Sequence, residues 1–304
     1  MAKLEDFDPS PTVAYIMCSG AALLWASSTV IGRGVHEIMP PMGLSFWRYS
    51  LATLILYLLV WRELPAKWAM IRSNAKLICF LGFLQVGASA MFFLGLNFTT
   101  AINGALLNAA QPALTVFPAW LLTRDRVNPV QGFGIAVAIT GIAVMIGRGD
   151  LGVILGFQFN IGDIIILIAI GGWSIYATIL HRLPKELGFA TSLFLIFFSG
   201  TVLLLPIYVV ETIQFRPVPL TLEVVETTLV LGIIVSLGSL AMWNAALRSI
   251  GPNRATIFIN LIPIFGVVLA ITFLGEQLFS FHLAGAALVA GGISLVILRG
   301  RKKE

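Results

Sequence analysis

Charged residues are scarce in this chain: Asp, Glu, Lys and Arg together make up only 11% of its 304 residues. Soluble domains carry about 25% charged residues. Hydrophobic residues reach 58%, and the mean hydropathy is +0.96. One soluble core cannot bury that much apolar surface. A soluble globular domain is therefore excluded, and lipid must solvate most of the chain.

Histidine and cysteine, the usual metal ligands and redox groups, are also rare, with three and two residues. Cys18 and Cys79 have neither CxxC spacing nor a histidine partner, so we expect both thiols to be buried among apolar side chains and to bind no metal. The signatures HExxH, GxSxG and the phosphate-binding P-loop are missing too. We therefore predict a protein that is not an enzyme and that uses no cofactor.

The formal net charge of +5 raises the question of nucleic-acid binding. The Lys and Arg residues lie in short loops between apolar runs and form no stripe, which argues against a nucleic-acid partner. The same placement is typical of membrane topology. The first apolar run has no cleavage site, so we expect it to be retained as the first helix.

The second half of the chain repeats the first at a fixed distance. Six residues recur 151 positions later with identical spacing: Pro112, Asp125, Gly134, Gly141, Arg148 and Gly149 are followed by Pro263, Glu276, Gly285, Gly292, Arg299 and Gly300. We therefore divide the chain into a first repeat at residues 1–150 and a second at residues 151–304. When each repeat holds an odd number of spans, the second inserts upside down relative to the first, as in many secondary transporters.

Apolar runs of about 20 residues are long enough to cross the hydrocarbon core of a bilayer. Ten such runs are predicted, at residues 13–31, 43–61, 76–96, 102–122, 129–147, 162–181, 190–210, 226–247, 254–273 and 280–298. Short loops connect them, so no separate soluble domain is expected.

The basic residues indicate how these spans are oriented. With a cytoplasmic amino terminus, fifteen of the nineteen Lys and Arg residues fall in cytoplasmic loops or tails, three fall in outer loops, and Arg48 lies within a span. Cytoplasmic loops are generally enriched in Lys and Arg. The predicted fold class is therefore an all-α integral membrane protein with ten transmembrane helices, arranged as two inverted five-helix repeats with both termini cytoplasmic.

Several short motifs resemble a known family. They are Trp25-Ala26-Ser27 in the first span, Phe46-Trp47-Arg48-Tyr49 in the second, and Asp125 and Gly275-Glu276 at the ends of the fourth and ninth. Over residues 12–300 the chain resembles the EamA-type ten-helix members of the drug/metabolite transporter superfamily, although Arg124-Asp125 stands where the family often has Gly-Glu. Within that superfamily it looks most like bacterial exporters of aromatic and other neutral amino acids. The resemblance implies a central cavity between two inverted halves, a place in the bacterial inner membrane, and export of small metabolites.

Polar and aromatic side chains near the middle of the spans are the candidate substrate contacts. An unmet polar group in hydrocarbon costs several kcal/mol, so each needs a partner. Neutral hydrogen-bonding groups beside flat aromatic faces suit a zwitterionic amino acid. The predicted substrate-binding residues are Trp25, Ser28, Gln85, Ser89, Asn108, Gln111, Trp173, Tyr176, Trp243, Asn244 and Asn260. The polar ones are also of the types that join neighbouring helices, which remains an alternative for each of them.

Two further features leave alternatives open. Arg48 lies about one turn inside the second span, and a charge at full depth costs about 2.5–3.5 kcal/mol. It either contacts a substrate carboxylate or has a structural role, by snorkelling to the interface or by pairing with Glu37; the structural role is favoured. The glycines of the fifth and tenth spans either pack these spans together, which is favoured, or form a homodimer face.

The predicted function is secondary transport: export of small metabolites, above all aromatic or neutral amino acids, by alternating access across the inner membrane. The alternatives are a drug or other metabolite exporter and a gradient-driven uniporter. No acid occupies a span centre, and Asp163, Glu226, His181 and His282 lie near span ends. Passive, gradient-driven exchange is therefore favoured at least as much as proton antiport. The expected partners are a small-molecule substrate and the lipid bilayer, with monomer or homodimer left open.

Overall fold

The structure, a computed structural model, describes residues 9–123, 129–156 and 158–300. In these ranges all regular secondary structure is helical, with no β-strand. Eight helices are long and apolar enough to cross a membrane: α1 (Pro11–Gly34), α2 (Pro41–Val60), α4 (Ala75–Leu96), α7 (Pro129–Ile146), α9 (Ile161–Arg182), α10 (Phe189–Gln214), α11 (Leu222–Ile250) and α13 (Ile257–Leu274). The others are α3 (Leu64–Ser73), α5 (Ala101–Asn108), α6 (Gln111–Thr123), α8 (Leu151–Leu155), α12 (Pro252–Ala255) and α14 (Ser280–Gly300).

Eight of the ten predicted spans correspond to these long helices. The predicted span 102–122 is instead divided into α5 and α6 by a turn at Ala109 and Ala110. The predicted span 280–298 corresponds to α14, whose apolar part covers Ser280–Leu295. The all-helical fold is thus confirmed, whereas the count of ten spans and the location of the termini stay predictions.

Proline accounts for the break between α5 and α6. Proline has no N–H, and its ring clashes with the carbonyl four residues earlier, so regular helical hydrogen bonding fails there. For Pro112 that carbonyl belongs to Asn108, the last residue of α5. For Pro263 it belongs to Ile259, within the 3₁₀ segment Thr256–Asn260. Asn108 and Ile259 are 151 residues apart, so the two irregular segments lie at equivalent positions of the repeat.

Two further irregular segments follow the same offset. α4 contains the π-helical segment Phe83–Gly87, and α11 contains Val230–Gly238. Residues 83–87, shifted by 151 positions, fall on residues 234–238. A π segment displaces backbone carbonyls from the regular pattern, and such segments are frequent at functional sites. These segments therefore indicate where a binding site is to be sought.

Glycines pack α7 against α14. A β-carbon on Gly141 would lie 2.6 Å from the Gly285 carbonyl oxygen, and one on Gly292 would lie 2.6 Å from the Ala138 nitrogen. Gly132 and Gly291 belong to the same two helices but have nothing within 4 Å of such a carbon. Gly141, Gly285 and Gly292 therefore allow close approach of two helices within one chain.

The acid that recurs in the repeat caps a helix. Glu276 accepts hydrogen bonds from the Ala101 N–H at 2.7 Å and the Ile102 N–H at 2.9 Å, at the start of α5. A carboxylate at this place satisfies free backbone N–H groups and complements the helix dipole. Its repeat equivalent, Asp125, lies outside the described residues.

The prediction for the two cysteines is right for one of them. Cys18 is buried, but Cys79 is exposed on the surface of α4. The expectation for Cys79 was wrong because an apolar side chain on a membrane helix can face lipid as well as the protein core.

Candidate functional site

A cavity of about 420 Å³ lies where the irregular segments meet, and residues from both halves line it. Small-molecule sites in proteins typically measure about 300–1,000 Å³. Nine of the eleven residues predicted to bind substrate line this cavity: Trp25, Ser28, Gln85, Ser89, Asn108, Gln111, Trp173, Tyr176 and Trp243. The structure thus brings them together, while their contact with a substrate stays a prediction.

The other two predicted residues do not line the cavity. The Asn244 side chain donates a hydrogen bond to the Leu240 carbonyl of its own helix, at 2.8 Å. Asn260 is exposed at the end of the 3₁₀ segment. Ile259 and Ile262, on either side of it in sequence, line the cavity instead. They are the repeat equivalents of Asn108 and Gln111, whereas the equivalent of Asn260 is Ala109, which does not line the cavity.

Twelve lining residues were absent from the predicted set: Thr29, Arg48, Tyr49, Phe92, Phe93, Ala177, Phe197, Val235, Ser236, Leu240, Ile259 and Ile262. Helical spacing from Ser89 could have found Phe92 and Phe93, which lie three and four residues further on the same face. The 151-residue offset could have found Ser236, because it is the repeat equivalent of the predicted residue Gln85.

The lining residues themselves follow the 151-residue offset. Six pairs of lining residues are related by it: Trp25 and Tyr176, Gln85 and Ser236, Ser89 and Leu240, Phe92 and Trp243, Asn108 and Ile259, and Gln111 and Ile262. The same offset was found from the spacing of other residues, outside the cavity. Equivalent positions of the two halves thus face one common space.

The two halves contribute different chemistry to that space. The first half supplies the guanidinium of Arg48 and the amides of Gln85, Asn108 and Gln111. At the positions equivalent to Asn108 and Gln111, the second half supplies Ile259 and Ile262. Both halves supply aromatic rings, so a ligand with a polar group and an apolar side chain matches this lining.

Aromatic rings from the two halves meet at the cavity. Trp25 lies against Trp243 with ring centroids 5.2 Å apart, and Phe92 lies against Trp173 at 5.4 Å. The Trp173 indole N–H donates to the Gln85 carbonyl at 3.3 Å, within the π segment of α4. These rings form flat apolar walls that are well suited to an aromatic or aliphatic side chain.

Arg48 is buried in the same lining, with only 8% of its surface exposed. Its Nε donates to the Ser236 hydroxyl at 2.7 Å, and its Nη1 donates to the Ser28 hydroxyl at 3.0 Å. The guanidinium also lies 5.2 Å from the Tyr49 ring centroid and 5.7 Å from that of Phe93. Cation–π contacts of this kind stabilise a charge by about 0.5–2 kcal/mol. Arg48 therefore neither snorkels to the interface nor depends on a loop acid.

The expected pairing of Arg48 with Glu37 is not found. The Glu37 side chain is 85% exposed and lies 4.0 Å from the His36 ring. No ion pair to Arg48 is found among the described residues. Two local features position Arg48 instead. The Ser236 hydroxyl donates to the Leu231 carbonyl at 2.8 Å, across the π segment, and Gly232 lets α11 approach the backbone of α2.

Asn108 lines the cavity and carries an unsatisfied acceptor. Its Oδ1 has almost no accessible surface and has no hydrogen-bond partner within the described part of the chain. A buried amide oxygen without a partner is uncommon. This oxygen is enclosed at the break between α5 and α6 and does not face the open space of the cavity.

A second polar cluster lies away from the cavity and joins α5, α9 and α14. The Thr99 hydroxyl donates to Asp163 at 2.6 Å, and the Asn103 amide donates to both Asp163 oxygens at 3.2 and 3.3 Å. His282 Nε2 lies 2.9 Å from Asn103 Oδ1, and the Phe279 N–H donates to His282 Nδ1. These partners assign the ring proton to Nε2, which donates to Asn103. The sequence placed Asp163 and His282 near span ends without indicating that Asn103 connects them.

The described ranges contain no group of three His, Cys, Asp or Glu side chains that could hold a metal ion. The chemistry of the cavity is that of hydrogen bonds, one fixed cation and aromatic surface.

Comparison with known proteins gives the family. The profile of the EamA-like transporter family matches residues 12–147 and 160–298. The chain is 25% identical over 283 residues to the "Uncharacterized transporter YyaM" of Bacillus subtilis, with 92% of each chain covered. It is 23% identical over 294 residues to a "Probable amino-acid metabolite efflux pump" of Salmonella typhimurium, with 93% of this chain and 94% of that protein covered.

Two further relatives extend the comparison. A "Probable terminal-alkyne amino-acid exporter" of Streptantibioticus cattleyicolor is 27% identical over 209 residues, with 66% of each chain covered. One crystal structure superposes with a TM-score of 0.57 at 16% identity, covering 96% of this chain and 98% of the other, which shows a shared fold. The family match extends over most of the chain. The chain therefore belongs to the EamA-like transporter family and is a multi-pass membrane transporter.

Proposed function

We propose that this transporter exports amino acids with aromatic or other neutral side chains from the bacterial cytoplasm, by alternating access through the cavity. The observation that carries the proposal is the mixed lining: amides and one guanidinium, all from the first half, beside aromatic rings from both halves. An amino acid has the matching form, with a charged head and an apolar side chain. The volume of about 420 Å³ is that of a small-molecule site.

Alternating access follows from the inverted-repeat arrangement, which we propose for the whole chain: ten spans, two five-helix halves and both termini cytoplasmic. The six offset-related pairs in the cavity and the matched irregular segments support it. Transporters with inverted repeats bind substrate at the repeat interface, between helices that are broken near the middle of the bilayer. Reporter fusions test the orientation: a fluorescent protein that folds only in the cytoplasm should report from either terminus. A periplasmic phosphatase should be active only in fusions to the outer loops.

The direction and the substrate class also receive support from relatives. Two of the compared proteins carry names that indicate amino-acid efflux or export, at 23% and 27% identity. For this chain, export from the cytoplasm across the inner membrane is part of the proposal.

The second candidate function is export of a drug or of another small metabolite, and a uniporter driven only by the substrate gradient is the alternative mechanism. A cationic drug is disfavoured by the cavity, since no carboxylate is among the residues that line it in the described ranges. Proton coupling stays unassigned, because the buried Asp163 belongs to the second cluster and does not line the cavity.

Uptake into proteoliposomes tests the proposed function. Purified transporter should accumulate labelled aromatic and branched amino acids and should exclude hydrophobic cations. Protein-free liposomes give the background, and an imposed pH gradient separates proton antiport from passive exchange. Uptake of cations alone would contradict the proposal.

A further inference from the structure

We infer that Arg48 recognises the charged head of the substrate: the Arg48 guanidinium binds its carboxylate. The inference rests on the proposed function and deepens it, because it states which chemical group a substrate must carry. That group is a free carboxylate.

The donors of Arg48 are only partly used. A guanidinium has five N–H donors, and two of them bond to Ser28 and Ser236. The other three have no acceptor among the described residues. Guanidinium N–H groups match a carboxylate in geometry and often bind it through two parallel hydrogen bonds. The serines hold the side chain in one orientation, so the remaining donors are fixed before the ligand arrives.

The charge of Arg48 also lacks compensation. It is the only charged residue in the cavity lining among the described residues, and its two oxygen partners are neutral hydroxyls. A buried charge is disfavoured unless an opposite charge or several hydrogen bonds accompany it. A substrate carboxylate would supply both at the guanidinium.

A matched set of four probes tests this contact. L-phenylalanine carries both groups, phenylalaninamide and phenethylamine carry only the amine, and 3-phenylpropionate carries only the carboxylate. All four share the phenyl ring, so contacts with the aromatic walls are common to them. The measurement is inhibition of labelled L-phenylalanine uptake, together with direct binding followed by tryptophan fluorescence. Trp25, Trp173 and Trp243 line the cavity and report occupancy without transport.

The wild-type protein should bind L-phenylalanine at least tenfold more tightly than the amide or the amine, since those ligands leave Arg48 without a partner. Arg48→Gln should weaken phenylalanine and 3-phenylpropionate at least tenfold and change the amide and the amine by less than about threefold. Arg48→Lys keeps the charge but loses the planar fork, so its effect should be intermediate.

Arg33→Gln is the control for arginine loss in general. Arg33 donates to the Leu96 and Asn97 carbonyls, outside the cavity, so this variant should lower thermal stability without changing the ratio between probes. If Arg48→Gln fails to fold, the wild-type ranking and the Arg48→Lys variant still decide the question. A purely structural Arg48 would leave the phenylalanine-to-amide ratio unchanged in a folded variant, and that result would overturn the inference.

The outcomes also separate this inference from the proposed function. Selective binding of 3-phenylpropionate over phenylalanine, lost in Arg48→Gln, would contradict amino-acid export and keep the carboxylate contact. Uptake of phenylalanine with equal binding of its amide would keep amino-acid export and contradict the carboxylate contact. Failure of all carboxylate-bearing probes in the wild type would contradict both.

Discussion

Adding one methyl group at either of two adjacent glycines should give opposite results. Gly292 faces α7, and a β-carbon there would lie 2.6 Å from the Ala138 nitrogen and 2.9 Å from the Ala138 β-carbon, with the Gly134 carbonyl also too close. Gly291, one residue earlier, has nothing within 4 Å. We expect Gly292→Ala to destabilise the protein and Gly291→Ala to be neutral or stabilising.

The size of the difference follows from two effects. Overpacking a well-packed interface costs about 1–3 kcal/mol, and here the nearest atoms belong to the backbone and cannot rotate away. Replacing glycine by alanine in a helix gains up to about 1 kcal/mol of helix propensity. Both variants carry this same gain, so it cancels between them. The difference in unfolding free energy should therefore be about 1–3 kcal/mol, with Gly292→Ala the less stable.

Equilibrium unfolding in mixed micelles, titrated with a denaturing detergent and followed by tryptophan fluorescence, measures this difference. Equal midpoints for the two variants would refute the packing of α7 against α14. Greater damage at Gly291, with a change in elution volume on gel filtration, would indicate that the glycines face a second copy of the chain.

Three further predictions concern polar contacts outside the cavity. His282→Ala leaves the Asn103 oxygen without its donor, and should lower stability by about 1–3 kcal/mol in the same unfolding assay; His181→Ala, at an exposed site, should not. Glu276→Ala removes the cap of α5 and should cost about 0.5–2 kcal/mol, whereas Glu226→Ala, an exposed acid, should cost nothing measurable. The hydrogen bond from Lys67 holds the pKa of Glu63 below its usual range, so this contact stabilises the protein above about pH 4.3 and is lost as the pH falls through the lowered pKa. The difference in melting temperature between wild type and Lys67→Met should be small, because Glu63 is half exposed. This difference should vanish in acid. A difference that persists below pH 3 would show that the Lys67 contact with the Leu187 carbonyl dominates.

The helical segments could be predicted because apolar run length alone decides which segments a bilayer accepts. Nine residues of the cavity were predicted for a similar reason: a polar or tryptophan residue deep in an apolar run is costly unless it faces a partner or a cavity. Asn260 was misplaced because its depth along the span was evident but its direction was not: it ends the 3₁₀ segment before Pro263 and is exposed. The prolines were visible in the sequence, but the rotation that they impose on neighbouring side chains was not.

The surroundings of Arg48 could not be predicted from the sequence alone. Its depth in the second span was evident, and that depth alone favoured a structural role near the interface. The partners that decide its place are Ser28 on α1 and Ser236 on α11, which are 20 and 188 residues away. Hydropathy describes each span separately and does not state which helix will face which.

From the sequence alone came the membrane class, the helical segments and the 151-residue repeat, because all three are properties of spacing and composition along one line. The tertiary structure decided which polar groups share a cavity, which of them lack a partner, and that Asp163 and His282 meet through Asn103. These facts depend on how helices rotate and pack against one another. Rotation is set by proline breaks, π segments and glycine contacts acting together, so it appears only when the whole bundle is assembled.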